Sequence, residues 1–166
     1  MTNTSIHTDD EADDDHELHQ AILLRDFLAG TITAGEELFE ISSSQIVNSM
    51  EMWIDVLSVV LKSQSDSRLL ELACGISANL VLKELALEGT ISLVEHMLEL
   101  LCSNTAISDP YIISEILRVF TNISYKSKGY LLLNSIELLS QYAMYLAENS
   151  LSPRVLAQLF QFLYYF

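Results

Sequence analysis

Three stretches decide how this chain folds: DSRLLELACGISANL at 66–80, DPYIISEILRVFTNI at 109–123 and SPRVLAQLFQFLYYF at 152–166. Each opens on Asp or Ser, residues whose side-chain oxygens cap a helix N-terminus. Pro110 and Pro153 follow directly, at the first helical position, where a missing N–H costs nothing. The openings fall at 66, 109 and 152, 43 residues apart each time. Within each stretch, offsets +3, +4, +7, +10, +11 and +14 trace one side of a helix. They read Leu69, Leu70, Ala73, Ile76, Ser77, Leu80, then Ile112, Ile113, Ile116, Val119, Phe120, Ile123, then Val155, Leu156, Leu159, Phe162, Leu163, Phe166. Only Ser77 is not apolar. The opposite side reads Arg68, Leu72, Gly75, Asn79, then Tyr111, Glu115, Arg118, Asn122, then Arg154, Gln158, Gln161, Tyr165, and Leu72 and Gly75 alone break its polar or tyrosine character.

A fixed period of this size is the mark of stacked helical units, each burying a face on its neighbour. Working outward, apolar helical periodicity predicts helices near 44–62, 67–82, 90–103, 110–125, 130–148 and 153–166. The expected fold is therefore all-α: a right-handed armadillo/HEAT-like superhelical solenoid of about three helix pairs over 44–166. Residues 21–43 read as a short helix and linker, broken over 29–35 by two glycines and three β-branched residues. Residues 1–20 carry seven carboxylates and almost nothing apolar, so a disordered acidic tail is expected there.

Charge narrows the function. The chain has 23 acidic against 8 basic residues, a net charge of −15. Such a surface opposes phosphate backbones and anionic membranes and favours basic partners, so no nucleic acid and no membrane is expected. No apolar run approaches the ~18 residues of a membrane span, and the polar N-terminus is unlike a secretory signal. Cys74 and Cys102 have no metal spacing and sit in apolar helical runs. His7, His16 and His19 lie in the acidic tail without an ordered ligand set, and His96 stands without a second ligand at metal spacing. The Asn-X-Ser/Thr patterns at Asn3 and Asn122 lack a secretion signal, and Ile123 is a core position. No phosphate loop, nucleophile elbow or catalytic carboxylate pair is present, so the expectation is no enzyme, no metal and no cofactor.

The segments Leu72–Leu80 and Ile116–Ile123 resemble the inner helix of armadillo repeats, which ends in a small-x-Asn-aliphatic run. In peptide-binding armadillo proteins that Asn faces a concave groove and hydrogen-bonds the ligand backbone. Asn79 and Asn122 match it; Gly75 and Arg118 stand where a Trp is usual, and Tyr165 takes the Asn place in the third repeat. The run Val60-Leu61, Arg68-Leu69, Glu71, Gly75-Ile76, Asn79, with Ser108-Asp109-Pro110, Glu115 and Arg118 downstream, is similar to the serum amyloid A-like 1 protein family. That resemblance implies an intracellular, nuclear and/or cytoplasmic, interaction protein linked to control of cell proliferation, without catalytic activity.

The expected site is the polar side of the inner helices: Arg68, Asn79, Tyr111, Glu115, Arg118, Asn122, Arg154, Gln158 and Gln161. Amides match a peptide's N–H and C=O groups, arginines can hold carboxylates while Glu115 tempers their charge, and tyrosine adds flat contact area. The expected partner is a protein or peptide segment. The bland alternative is a solvated face, or asparagines that tie the fold internally. A second class of role is structural: the apolar run Leu159–Phe166 has no C-cap glycine and reads as an edge that docks on further repeats or a partner.

Overall fold

The computed structural model describes residues 9–83, 87–102, 109–127, 132, 136–149 and 152–166. These form eight helices: α1 (Asp9–Leu28), α2 (Ile32–Ser44), α3 (Met50–Ser63), α4 (Ser67–Lys83), α5 (Leu87–Cys102), α6 (Pro110–Ser127), α7 (Ile136–Asn149) and α8 (Pro153–Tyr165). No strand occurs among the described residues, so the protein is all-α. None of these helices is long and apolar enough to cross a membrane.

The even-numbered helices pack in order, α2 on α4, α4 on α6 and α6 on α8. Beside them α1 packs on α2 and α3, α3 on α4 and α5, and α7 on α8. The repeat register explains the central contacts. All twelve residues of the predicted apolar stripes of α4 and α6, from Leu69 to Leu80 and Ile112 to Ile123, are buried, and Ser77 satisfies its hydroxyl on the Ala73 carbonyl at 2.7 Å. Trp53, Phe27, Phe120 and Phe162 are the largest side chains sealed in this core. Asp66 caps α4 through hydrogen bonds from the Arg68 and Leu69 amides at 2.9 and 3.0 Å. Asp109 caps α6 from the Tyr111 amide at 2.9 Å. Ser152 begins α8 with extended backbone but without a side-chain cap, leaving Pro153 to set that start.

The N-terminal third departs from expectation. The tail read as disordered through residue 20 is helical from Asp9, and its residues 1–8 lie outside the described set. The helix continues into the segment expected to form a short helix, where Leu23, Leu24 and Phe27 enter the core. Gln20, also buried, accepts from the Asn48 amide at 3.0 Å and Trp53 Nε1 at 3.3 Å and donates to the Ile46 carbonyl at 3.0 Å. The segment read as linker is a full helix, α2. The break before it is confined to residues 29–31, where Gly30 adopts φ +94°. Bonds from Gly30 N to Phe27 O (2.9 Å) and Thr31 N to Asp26 O (3.0 Å) close α1 in a Schellman motif. Eight helices thus stand where three pairs and one short helix are expected. α3 begins at Met50 rather than 44, because residues 45–49 form the loop that Gln20 holds.

Candidate functional site

The even helices present a common polar face, and its side chains bond from one helix to the next. Arg118 of α6 is the centre. Its Nη1 donates to Asn79 Oδ1 at 2.9 Å, its Nη2 to the Gly75 carbonyl at 3.0 Å and its Nε to Glu115 Oε2 at 2.7 Å. Asn79 passes the chain on, donating from Nδ2 to Ser42 Oγ of α2 at 3.0 Å, and Ser42 donates to the Phe39 carbonyl at 2.8 Å. Glu115 is buried yet bridges two cations, since its Oε1 also takes Arg154 Nη2 of α8 at 2.8 Å. Arg154 bonds Ser114 Oγ at 3.1 Å and lies over the exposed Tyr111 ring, 5.1 Å from its centroid. This polar spine joins four helices and satisfies groups whose burial would otherwise be costly.

Gly75 makes the arrangement fit. A Cβ there would fall 2.8 Å from Phe39 Cε2 and 3.4 Å from Arg118 Nη2, so a side chain would displace the aromatic ring or the guanidinium. Phe39 in turn lies under Arg118, whose Cζ sits 5.9 Å from the ring centroid.

The remaining predicted residues lie on the same face. Asn122 donates to the Ala78 carbonyl at 2.9 Å, and Gln158 to Gln161 Oε1 at 3.1 Å. Arg68 holds Glu36 of α2 and Glu71 of α4, each at 2.9 Å; hydrogen bonding to Glu36 first, then Glu71, raises its pKa above the ordinary arginine value. The structure thus brings the predicted residues together but gives them internal partners. Asn79 and Asn122 tie helix to helix, and Arg68, Arg118 and Arg154 each already hold a carboxylate of this chain.

A groove runs along this face from α2 to α8. One hollow of about 220 Å³ is lined by Phe39, Arg68, Glu71, Leu72, Glu115 and Arg154. A broader one of about 430 Å³ adjoins it, sharing Phe39, Arg68 and Leu72 and adding Glu36, Glu37 and Glu40. Its lining therefore carries five carboxylates against two guanidinium groups over an apolar floor of Phe39 and Leu72. The α2 contributors escape sequence reading because α2 itself does, although Ala34, Leu38 and Ile41 at helical spacing are a signal of it.

Chemistry elsewhere is sparse. Cys74 is wholly buried, and desolvation drives its thiol pKa up, opposing thiolate formation. His19 Nε2 meets Glu37 at 2.8 Å, Gln20 Nε2 meets His16 at 3.1 Å and His96 meets the Ser92 carbonyl at 2.6 Å. His7 and the Cys102 side chain lie outside the described set. No cluster of metal-ligating side chains occurs among the described residues. No family model, no curated protein and no solved structure matches the chain.

Proposed function

We propose that the chain is a non-enzymatic protein-interaction scaffold, a right-handed armadillo/HEAT-like stack that receives a basic partner segment along the even-helix groove. The helices pair as α1/α2, α3/α4, α5/α6 and α7/α8. The 43-residue spacing of the caps and the serial packing of α2, α4, α6 and α8 support this arrangement. The resemblance to the serum amyloid A-like 1 protein family belongs to the same proposal, with its intracellular, nuclear and/or cytoplasmic setting and its link to control of cell proliferation.

The observation that carries the reading is the groove's charge. Its arginines are engaged by Glu36, Glu71 and Glu115, so they are poorly placed to take a partner's carboxylates. The lining's five carboxylates still outnumber its two guanidinium groups, and Glu37 and Glu40 on α2 hold neither arginine, so the groove suits lysine or arginine side chains. Phe39 and Leu72 give an apolar or aromatic partner residue a place to lie. An array of extended peptides, Lys/Arg-rich, Asp/Glu-rich and neutral, probed with the intact chain tests this. Retention on basic peptides that fades with salt is expected. Equal retention on acidic peptides, or none on basic ones, contradicts it.

A further inference from the structure

Among the groove's carboxylates, Glu37 has a histidine for a partner. Glu36, Glu71 and Glu115 are engaged by Arg68 and Arg154, and a guanidinium keeps its charge at every working pH. Glu37 is held instead by His19 of α1, with Nε2 2.8 Å from Oε1 and both side chains about half exposed. A carboxylate only accepts, so the imidazole carries a proton on Nε2 whether the ring is neutral or charged. The hydrogen bond therefore survives a change of ring charge, but the electrostatics do not. Beside a neutral ring Glu37 keeps its charge for a partner's cation; beside a protonated ring that charge is cancelled.

We propose, on the reading of the groove as a site for a basic segment, that His19 makes that binding pH-dependent: tighter with the ring neutral, weaker with it protonated. Imidazole is the side chain that ordinarily changes charge between about pH 5 and 8, where ordinary carboxylates and guanidinium groups do not. Protonation sets three cations instead of two against the five carboxylates of the lining. The other described histidines bond elsewhere, His16 to Gln20 and His96 to the Ser92 carbonyl. Around His19 the ionisable groups are Glu37, with Glu36 and Glu40 on the same helix, and Asp15 and His16 one turn away on α1. α3, also packed on α1, carries Glu51, Asp55 and Lys62, but it and the loop before it reach α1 through Glu17 and Gln20: Ser49 Oγ donates to Glu17 at 3.0 Å and Trp53 Nε1 to Gln20. Because both members of the His19–Glu37 pair are half exposed, solvent screens their interaction, and the control is graded rather than all-or-none.

Fluorescence anisotropy of an arginine-rich peptide, whose own charge is constant, with the intact chain at about pH 7.5 and about pH 5.5 tests the proposal. The ratio of affinities between the two conditions should be roughly threefold larger in wild type than in His19→Gln, whose amide keeps a donor for Glu37 but takes no proton. By linkage, saturating peptide should also move the NMR titration of the His19 ring to lower pH. Absence of binding at both pH values overturns the groove's basic partner and its control by His19 together. Binding with the same pH ratio in wild type and His19→Gln, or a His19 titration that the peptide leaves unmoved, overturns the histidine's role alone.

Discussion

Arg118 Nη1 lies 2.9 Å from Asn79 Oδ1, so the two residues expected to face a ligand are spent on joining α6 to α4. That contact changes the meaning of the polar face. Its centre is a structural spine, and what remains for a partner is the acidic groove beside it.

Removing the guanidinium should therefore cost stability. Arg118→Ala takes the donor from Asn79 Oδ1, one from the Gly75 carbonyl and one of the two cations from the buried Glu115, and a loss of about 1–3 kcal/mol is expected. Urea denaturation measures it. Arg118→Lys should recover little, because an ammonium cannot reach three acceptors in a planar fork. An alanine variant as stable as wild type would show the spine to be dispensable.

Gly75→Ala should destabilise even though alanine is the better helix former by about 1 kcal/mol. The new methyl meets Phe39, which the Arg118 guanidinium overlies. A net loss of about 1–2 kcal/mol is expected, as for overpacking. Combining it with Phe39→Leu should remove most of that loss, and a double-mutant cycle reads the coupling.

Gln20→Ala should loosen the loop before α3. The amide holds residues 46 and 48 and the Trp53 indole. Faster hydrogen exchange at the Asn48 amide and a shift of Trp53 emission should accompany a loss of about 1–3 kcal/mol. Unchanged exchange at Asn48 would mean that the loop is held by other contacts.

Cys74 gives a pH signature. Burial raises its pKa in the folded state, so on alkalinisation the unfolded thiol ionises first, near its ordinary value of 9.0, while the folded one stays protonated. The unfolded state then binds fewer protons, and this group's contribution lowers stability as pH rises above about 9. Cys74→Ala should show a shallower alkaline decline in denaturation midpoint than wild type. Equal slopes would show that Cys74 does not contribute.

What was legible in the sequence follows from range. The starts of α4, α6 and α8 are local features, caps and prolines, and they fall where their residues put them. The buried stripes of α4 and α6 were equally readable, because helical periodicity needs only neighbours in sequence. The short helix expected from residue 21 is the C-terminal half of α1, but the acidic half before it and α2 were not read: acidic and β-branched stretches argue against helix locally and outweighed the helical spacing of Ala34, Leu38 and Ile41. The site was half legible: the face could be found from its polarity, but Arg118 to Gly75 spans 43 residues of chain, and no local pattern says that a guanidinium is already engaged. The third stripe shows the converse, since Leu163 and Phe166 share the pattern but not the burial.

The most direct measurement is the affinity of a fluorescent Lys/Arg-rich peptide for wild type and for Glu36→Gln/Glu40→Gln/Glu71→Gln, with melting temperatures recorded beside it. Loss of three groove carboxylates should weaken binding at least tenfold, about 1.4 kcal/mol, while leaving the fold intact. Equal affinity in the two proteins, with both folded, would contradict a basic partner seated in this groove.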